Sequence, residues 1–395
     1  MQTLPSTVGI TTSAQPPAVP LPELRGVQVT LIHDYLNGMR GGEKVLEEVC
    51  KLFPQAPLFT LMHVAGSVSP VIEDRAITTS PLQHMPWSEK KYRLYFPLFP
   101  AFAELTKAGD CDLVISTSHA VAKGMVNRKG GRPRHVCYIF SPMRYVWDRF
   151  DDYFGPEKVG KTASRFFFRP VAAGLQRYDR ATTDRVDVFV ALSSFVADRV
   201  KRFYDREAEV LAPPVDTDRF AAFERQPEDW YLVASALVPY KRMDQAIAAC
   251  AALRKPLKIV GAGPEERKLR DLATELGADV EFLGFVSDDD LGLYYSRARA
   301  LLFPGVEDFG IVPVEAIATG CPVIALGEGG ILDSMTSKTA VLYSEGSVDG
   351  LKRAIGEFEG RSFDPAKLRS HAQKFSVDAF VRGFQDVLAR AMQSP

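Results

Sequence analysis

The chain has 395 residues, 46% hydrophobic and 25% charged, with a formal net charge of -1. This is the balance of a globular protein with two ordinary domains; no global field draws it to nucleic acid or a membrane, although local patches remain open. Five scattered cysteines without a CxxC pair argue against a disulfide framework or zinc site and read as small buried hydrophobes in a reducing compartment.

Residues 1–25, rich in Pro, Ser, Thr, Gln and Ala, are expected to form a disordered leader, without the basic start and apolar run of a signal peptide. From Val27 the pattern changes. VQVTLIH reads as a strand, and GGEKVLEEVCKLF reads as a helix behind a glycine-bearing loop. PLFTLM, CDLVISTSH, RHVCYIF and VDVFVALS follow as strands, and SFVADRVKRFY as the helix after the last of them. AEVLAPPVDTDRF breaks the alternation and reads as an interdomain connection. Strands DWYLVASALV, PLKIVGAG, VEFLGF, ALLFPG and PVIALG then alternate with helices, and a last helical stretch, FSVDAFVRGFQDVLARAM, closes the chain. The expected fold class is α/β: two Rossmann-like, doubly wound domains facing across a cleft. Expected boundaries are 26–208 for the first domain, 209–375 for the second, and 376–395 for a helix packing back on the first domain. No run is long and apolar enough for a membrane span.

In PGVEDFGIVPVEAIATG, Glu307 follows a strand end and Glu315 lies just inside the next helix. Between them the amides of Phe309, Gly310 and Ile311 would point from a helix start, where backbone N–H groups and the helix dipole hold anions. Two carboxylates around an anion-binding turn suit a ligand with hydroxyls at two places and phosphates between them. The same glutamates also read as favourable charges near a helix start, and both readings stand on these residues alone.

The segment resembles the E-x7-E motif of retaining GT-B glycosyltransferases of the large family 4 class. SALVPYKRMDQAI, IVGAGPEERKLR, VEFLGFVS, DYLNGMRGGEKVLEEV, STSHAVAKG and YIFSPMRYVWD stand in the order the resemblance requires, across about residues 27 to 392. It implies a glycosyltransferase with His119, Glu307 and Lys241 in the catalytic centre. Donor contacts would come from Gly41, Gly42, Lys241, Arg242, Glu307, Phe309, Gly310, Ile311 and Glu315. Lys241 and Arg242 would neutralise the leaving diphosphate. Family members often carry arginine where this chain has Ala236, and Arg242 is the candidate to compensate. His119 would hydrogen-bond the donor sugar, and Arg144 is the candidate acceptor contact. No cofactor or metal is expected; the three Asp-x-Asp pairs read as helix caps or as residues at strand starts and connections.

The resemblance leans toward bacterial mannosyltransferases that move mannose from GDP-mannose to a saccharide or lipid-linked saccharide in surface polysaccharide synthesis. A UDP-sugar donor, a nucleotide-sugar epimerase and a silent binding protein are the alternatives. Residues 85–109 mix Trp87, Tyr92, Tyr95, Phe96, Phe99 and Phe102 with Lys90, Lys91 and Arg93, and RFFFRP at 165–170 is similar. Such a mixture suits peripheral contact with the inner face of a cytoplasmic membrane. It equally suits an aromatic hairpin packed into the core.

Overall fold

The computed structural model describes residues 24–108, 110–127 and 133–393. The expected leader at 1–25 therefore lies almost wholly outside the described residues. The first sheet contains β1 (Val29–His33), β2 (Leu58–Thr60), β3 (Ile77–Thr79), β4 (Leu113–Ser118), β5 (Arg134–Ile139), β6 (Val188–Ala191) and β7 (Ala208–Val210). Its order is β3-β2-β1-β4-β5-β6-β7, with every pairing parallel. The second sheet contains β8 (Tyr231–Ala234), β9 (Leu257–Val260), β10 (Val280–Gly284), β11 (Leu301–Phe303), β12 (Val323–Leu326) and β13 (Ala340–Tyr343). Its order is β10-β9-β8-β11-β12-β13, again all parallel.

Central strands such as β4 and β8 are buried along their whole length, because helices cover both faces of a parallel sheet. This is why they read as continuous apolar runs rather than alternating ones. β3, β7 and β13 escaped the sequence reading. β7 adds the last strand of the first sheet inside the stretch expected to be a connection, so that sheet continues past the boundary at 208.

In each sheet the winding reverses once, between β1 and β4 and between β8 and β11. A crevice opens where neighbouring connections leave in opposite directions, and ligands of open α/β sheets gather there at the carboxyl strand ends. The segments after these four strands are therefore the ones to inspect. The closing helix, Val377–Gln393, packs Phe380 and Phe384 against Tyr138 of β5 and pairs Arg390 with Glu209 of β7.

The aromatic stretch at 85–109 divides between its two readings. Tyr92, Phe96, Phe99 and Phe102 are buried in a core cluster, whereas Trp87, 74% exposed, and Leu94, Leu98 and Leu105 face outward.

Candidate functional site

Asp34 follows β1 and is fully buried. Its Oδ2 accepts from the backbone N–H groups of His119 (2.6 Å) and Ala120 (2.9 Å), and its Oδ1 from those of Val121 and Ala122, both at 2.7 Å. One carboxylate thus carries the whole loop after β4. The same Oδ2 lies 3.3 Å from His119 Nδ1, and the Tyr35 hydroxyl lies 2.6 Å from His119 Nε2. Burial holds the Tyr35 phenol well above its usual pKa, with Tyr92 and the Asp34 charge adding to it, so it stays a donor. A ring with its proton on Nδ1, facing the Asp34 carboxylate, accepts from Tyr35 at Nε2. Burial also lowers the His119 pKa, outweighing the opposing pull of Asp34. The side chain keeps 32% exposure, opening onto a cavity.

That cavity, about 420 Å³, is lined by His33, Tyr35, Arg40, Gly42, His119 and Phe140 among others, and reaches Tyr240 of the second domain. Gly42 is closely packed: a Cβ there would come 3.3 Å from the Phe140 ring, which would have to give by a few tenths of an ångström. Gly41 and Gly42 form the first turn of the helix Gly41–Leu52. A Cβ on Gly41 would approach Ile311 Cδ1 of the second domain to 2.9 Å, so the two halves meet closely there. In that helix Glu43 is buried. Desolvation works to raise its pKa, but hydrogen bonding and charge from His33 outweigh this and hold it below the ordinary value.

Across the cleft, Lys241 ends the short turn Pro239–Lys241 after β8, and its ammonium pairs with Glu307 after β11. Gly305 makes this approach possible, since a Cβ there would lie 2.8 Å from Lys241 Cα. Arg242 sits at a left-handed φ of 53° and its guanidinium points to the Gly346 carbonyl at 3.4 Å. Gly310, at φ 88°, caps the helix Ile311–Ala318, a conformation that favours glycine. Phe309 has its ring buried against Phe375, which leaves its backbone as the part facing the turn. Glu315 is buried, accepts from the Tyr295 hydroxyl at 3.1 Å and lies 4.0 Å from Lys44 of the first domain. Burial raises its pKa, with Lys44 and Tyr295 partly opposing.

Arg144 lines the cavity, but its guanidinium is engaged by Asp308. Asp308 also accepts from Arg199 at 3.1 Å, and Arg199 reaches Asp148 at 2.7 Å. The residue beside Glu307 is therefore wedged between two arginines of the other domain.

The sequence-derived residues thus fall into two groups on facing walls. His119, Gly41 and Gly42 stand on one side with Arg144; Lys241, Glu307, Gly310, Ile311 and Glu315 stand on the other, where Arg242 turns to the Gly346 carbonyl and Phe309 buries its ring. Sequence reasoning missed Asp34, Tyr35, Lys44, Asp308 and Arg199. Asp34 carried the one usable signal, a carboxylate directly at a carboxyl strand end. Among the described residues no cluster of three or more His, Cys, Asp or Glu is placed to hold a metal ion.

Two parallel doubly wound domains with facing switch points define the GT-B architecture. The fold aligns with the lipopolysaccharide outer core galactosyltransferase WaaB at a TM-score of 0.66 and 16% identity, covering 92% of this chain and 99% of that one. It aligns with HepE of Anabaena, solved in complex with UDP and glucose, at a TM-score of 0.64 and 18% identity, covering 92% and 99% of the two chains.

The family described as Glycosyltransferase Family 4 matches residues 25–219, and that described as Glycosyl transferases group 1 matches residues 214–375. The chain belongs to these glycosyltransferase families. A GDP-mannose-dependent alpha-(1-6)-phosphatidylinositol monomannoside mannosyltransferase of Mycobacterium tuberculosis is 33% identical over 207 residues, 45% of this chain and 54% of that protein. A D-inositol 3-phosphate glycosyltransferase of Saccharomonospora viridis is 30% identical over 241 residues, 52% and 56% of the two chains. The chain thus spans about half the length of these curated relatives.

Proposed function

We propose that the protein is a retaining, metal-independent glycosyltransferase that moves mannose from GDP-mannose to a hydroxyl of a saccharide or lipid-linked saccharide. The observation that carries this reading is the Lys241–Glu307 pair at the β8/β11 switch point, next in sequence to Tyr240, which lines the same cavity as His119. The names of the mannosyltransferase relatives support the choice of donor.

In this reading the diphosphate draws Lys241 and Arg242 to itself and settles on the amides at the start of the helix Ile311–Ala318. Glu307 turns to hydroxyls of the sugar, and Glu315 to those of the ribose. Gly41 and Gly42 let the first domain's backbone close on the donor. A sugar hydroxyl replaces the Tyr35 phenol at His119 Nε2. The bond from the anomeric carbon to the leaving phosphate oxygen breaks, and the acceptor oxygen bonds to that carbon on the same face. The acceptor's proton passes to the departing phosphate oxygen. Lys241 and Arg242 hold the charge that develops there. Peripheral membrane contact at 85–109 belongs to the same reading, carried by exposed Trp87, Leu94 and Leu98 beside Lys90 and Lys91. The reaction would then run at the inner face of the cytoplasmic membrane.

Thermal shift with GDP, UDP and ADP, followed by mannose transfer from GDP-mannose, tests the proposal. GDP should stabilise the fold, and Lys241→Ala and Glu307→Ala should remove turnover while the protein stays folded. Stabilisation by UDP alone overturns the donor assignment. Mannose epimerised without transfer overturns the reaction.

A further inference from the structure

The two domains meet along a pair of facing helix starts. A Cβ on Gly41 would come 2.9 Å from Ile311 Cδ1. One turn further along each helix, three residues past Gly41 and four past Ile311, stand Lys44 and Glu315. These spacings keep side chains on one helix face. The approach of Gly41 to Ile311 thus brings Lys44 of the first domain over Glu315 of the second. The Lys44 ammonium lies 4.0 Å from Glu315 Oε1 and 4.0 Å from Asp288 Oδ2.

The Glu315 carboxylate is faced by Lys44, by Tyr295 and Asp288 of the helix Asp288–Arg297, and by Arg219 of the helix Thr217–Ala221. Tyr295 is fully buried and donates to Oε2. Arg219 is paired with Asp288 at 3.2 Å and Asp289 at 2.8 Å, which offsets its charge, and Lys44 acts on Glu315 more strongly than Arg219 does. At 4.0 Å Lys44 works through charge and not through a hydrogen bond, so Oε1 stays available to a ligand hydroxyl. Of the two carboxylates beside Lys44, Asp288 is half-exposed and screened by water, whereas Glu315 is buried, where a neighbouring charge is felt far more. Burial disfavours the ionised form of a carboxyl group, and the ionised form holds hydroxyls about twice as strongly as the neutral one.

We propose that Lys44 is a positioning residue for the donor: from across the cleft it holds Glu315 as the carboxylate that accepts ribose hydroxyls, so the first domain sets how tightly the second holds ribose. This rests on the reading of Glu315 as the ribose contact and names the residue that tunes it.

Titration of the full chain with GDP and with 2′,3′-dideoxy-GDP tests the proposal, because the two ligands share phosphates and base and differ only in ribose hydroxyls. Wild type should prefer GDP. In Lys44→Met that preference should fall about fivefold at about pH 6, the difference between a charged and a neutral acceptor. Removing the ammonium raises the pH at which Glu315 ionises, so the preference should return at about pH 8.5. Lys44→Arg, which keeps the charge, should keep the preference at both. Equal preference in wild type and Lys44→Met at the lower pH overturns the proposal, since Lys44 would then serve the phosphates or the fold. A preference lost equally at both pH values also overturns it, since the ammonium would then contact ribose directly. Thermal melts without nucleotide form a second test: Lys44→Met should lower the melting temperature at neutral pH more in the wild-type background than beside Glu315→Gln, and equal shifts overturn the proposal. A wild type that binds neither ligand, or both alike, refutes the ribose role of Glu315 instead, and the melts then decide alone whether Lys44 sustains its charge.

Discussion

Asp34→Asn is the most informative single change in the first domain. The carboxylate receives four backbone N–H groups, two on each oxygen, at 2.6 to 2.9 Å, and it is fully buried. Asparagine keeps one acceptor oxygen and replaces the other with an N–H2 donor. Two of the four amides then face a donor instead of an acceptor. Hydrogen bonds to charged groups contribute about 1.5–3 kcal/mol each, so two lost bonds cost about 3–6 kcal/mol. Domains are stable by only about 5–15 kcal/mol, so the variant should unfold at markedly lower denaturant. Urea denaturation followed by far-UV circular dichroism measures this, and Asp34→Glu, which keeps the charge but misplaces it, is the companion variant. His119 should shift with its loop, so transfer should fall more than donor affinity. A stability loss under about 1 kcal/mol in Asp34→Asn would refute the claim that this carboxylate holds the loop.

Three further outcomes follow from the same geometry. His119 has a lowered pKa in the folded protein, so its contribution to stability is present above its unfolded value of about 6.5 and is lost as pH falls through the folded value; His119→Gln should flatten that acid limb in thermal melts, and an unchanged profile would contradict the assignment. Glu315 has a raised pKa, so its contribution is present below its unfolded value and is lost as pH rises through the folded one; Glu315→Gln should therefore raise the melting temperature at neutral pH while weakening nucleotide binding, and a fall in both would show that the ionised carboxylate is structurally required. Asp308→Asn removes the charge between Arg144 and Arg199, and small-angle scattering should then report a larger radius of gyration for the unliganded protein, an identical radius being the contrary result.

Much of this architecture is readable from residue order, for a physical reason. β1, β4 and β8 are buried on both faces, so VTLI, LVIS and YLVA stand out as apolar runs between polar loops. β3 and β7 are three-residue edge strands with half-open faces, so Ile77–Thr79 and Ala208–Val210 carry no such signature. β13 is four residues between polar turns. Glu307, Lys241 and His119 could be picked out because each follows a strand in a stretch with a family resemblance. Asp308 could not: its partners lie 109 and 164 positions away, and nothing local distinguishes it from a loop aspartate. Asp34 acts on main-chain amides, which every residue carries, so its targets leave no trace in side-chain identity.

If Lys241 and Glu307 hold the donor as proposed, their pairing makes the resting cleft discriminating. Each group is mostly shielded, and each satisfies the other. Inorganic phosphate approaching alone could take the lysine only by abandoning the glutamate in a poorly hydrated place, and a free hexose would strand the lysine in turn. A molecule that presents anion and hydroxyls together replaces both halves at once, so abundant simple ions and sugars in the surroundings compete poorly for the same space.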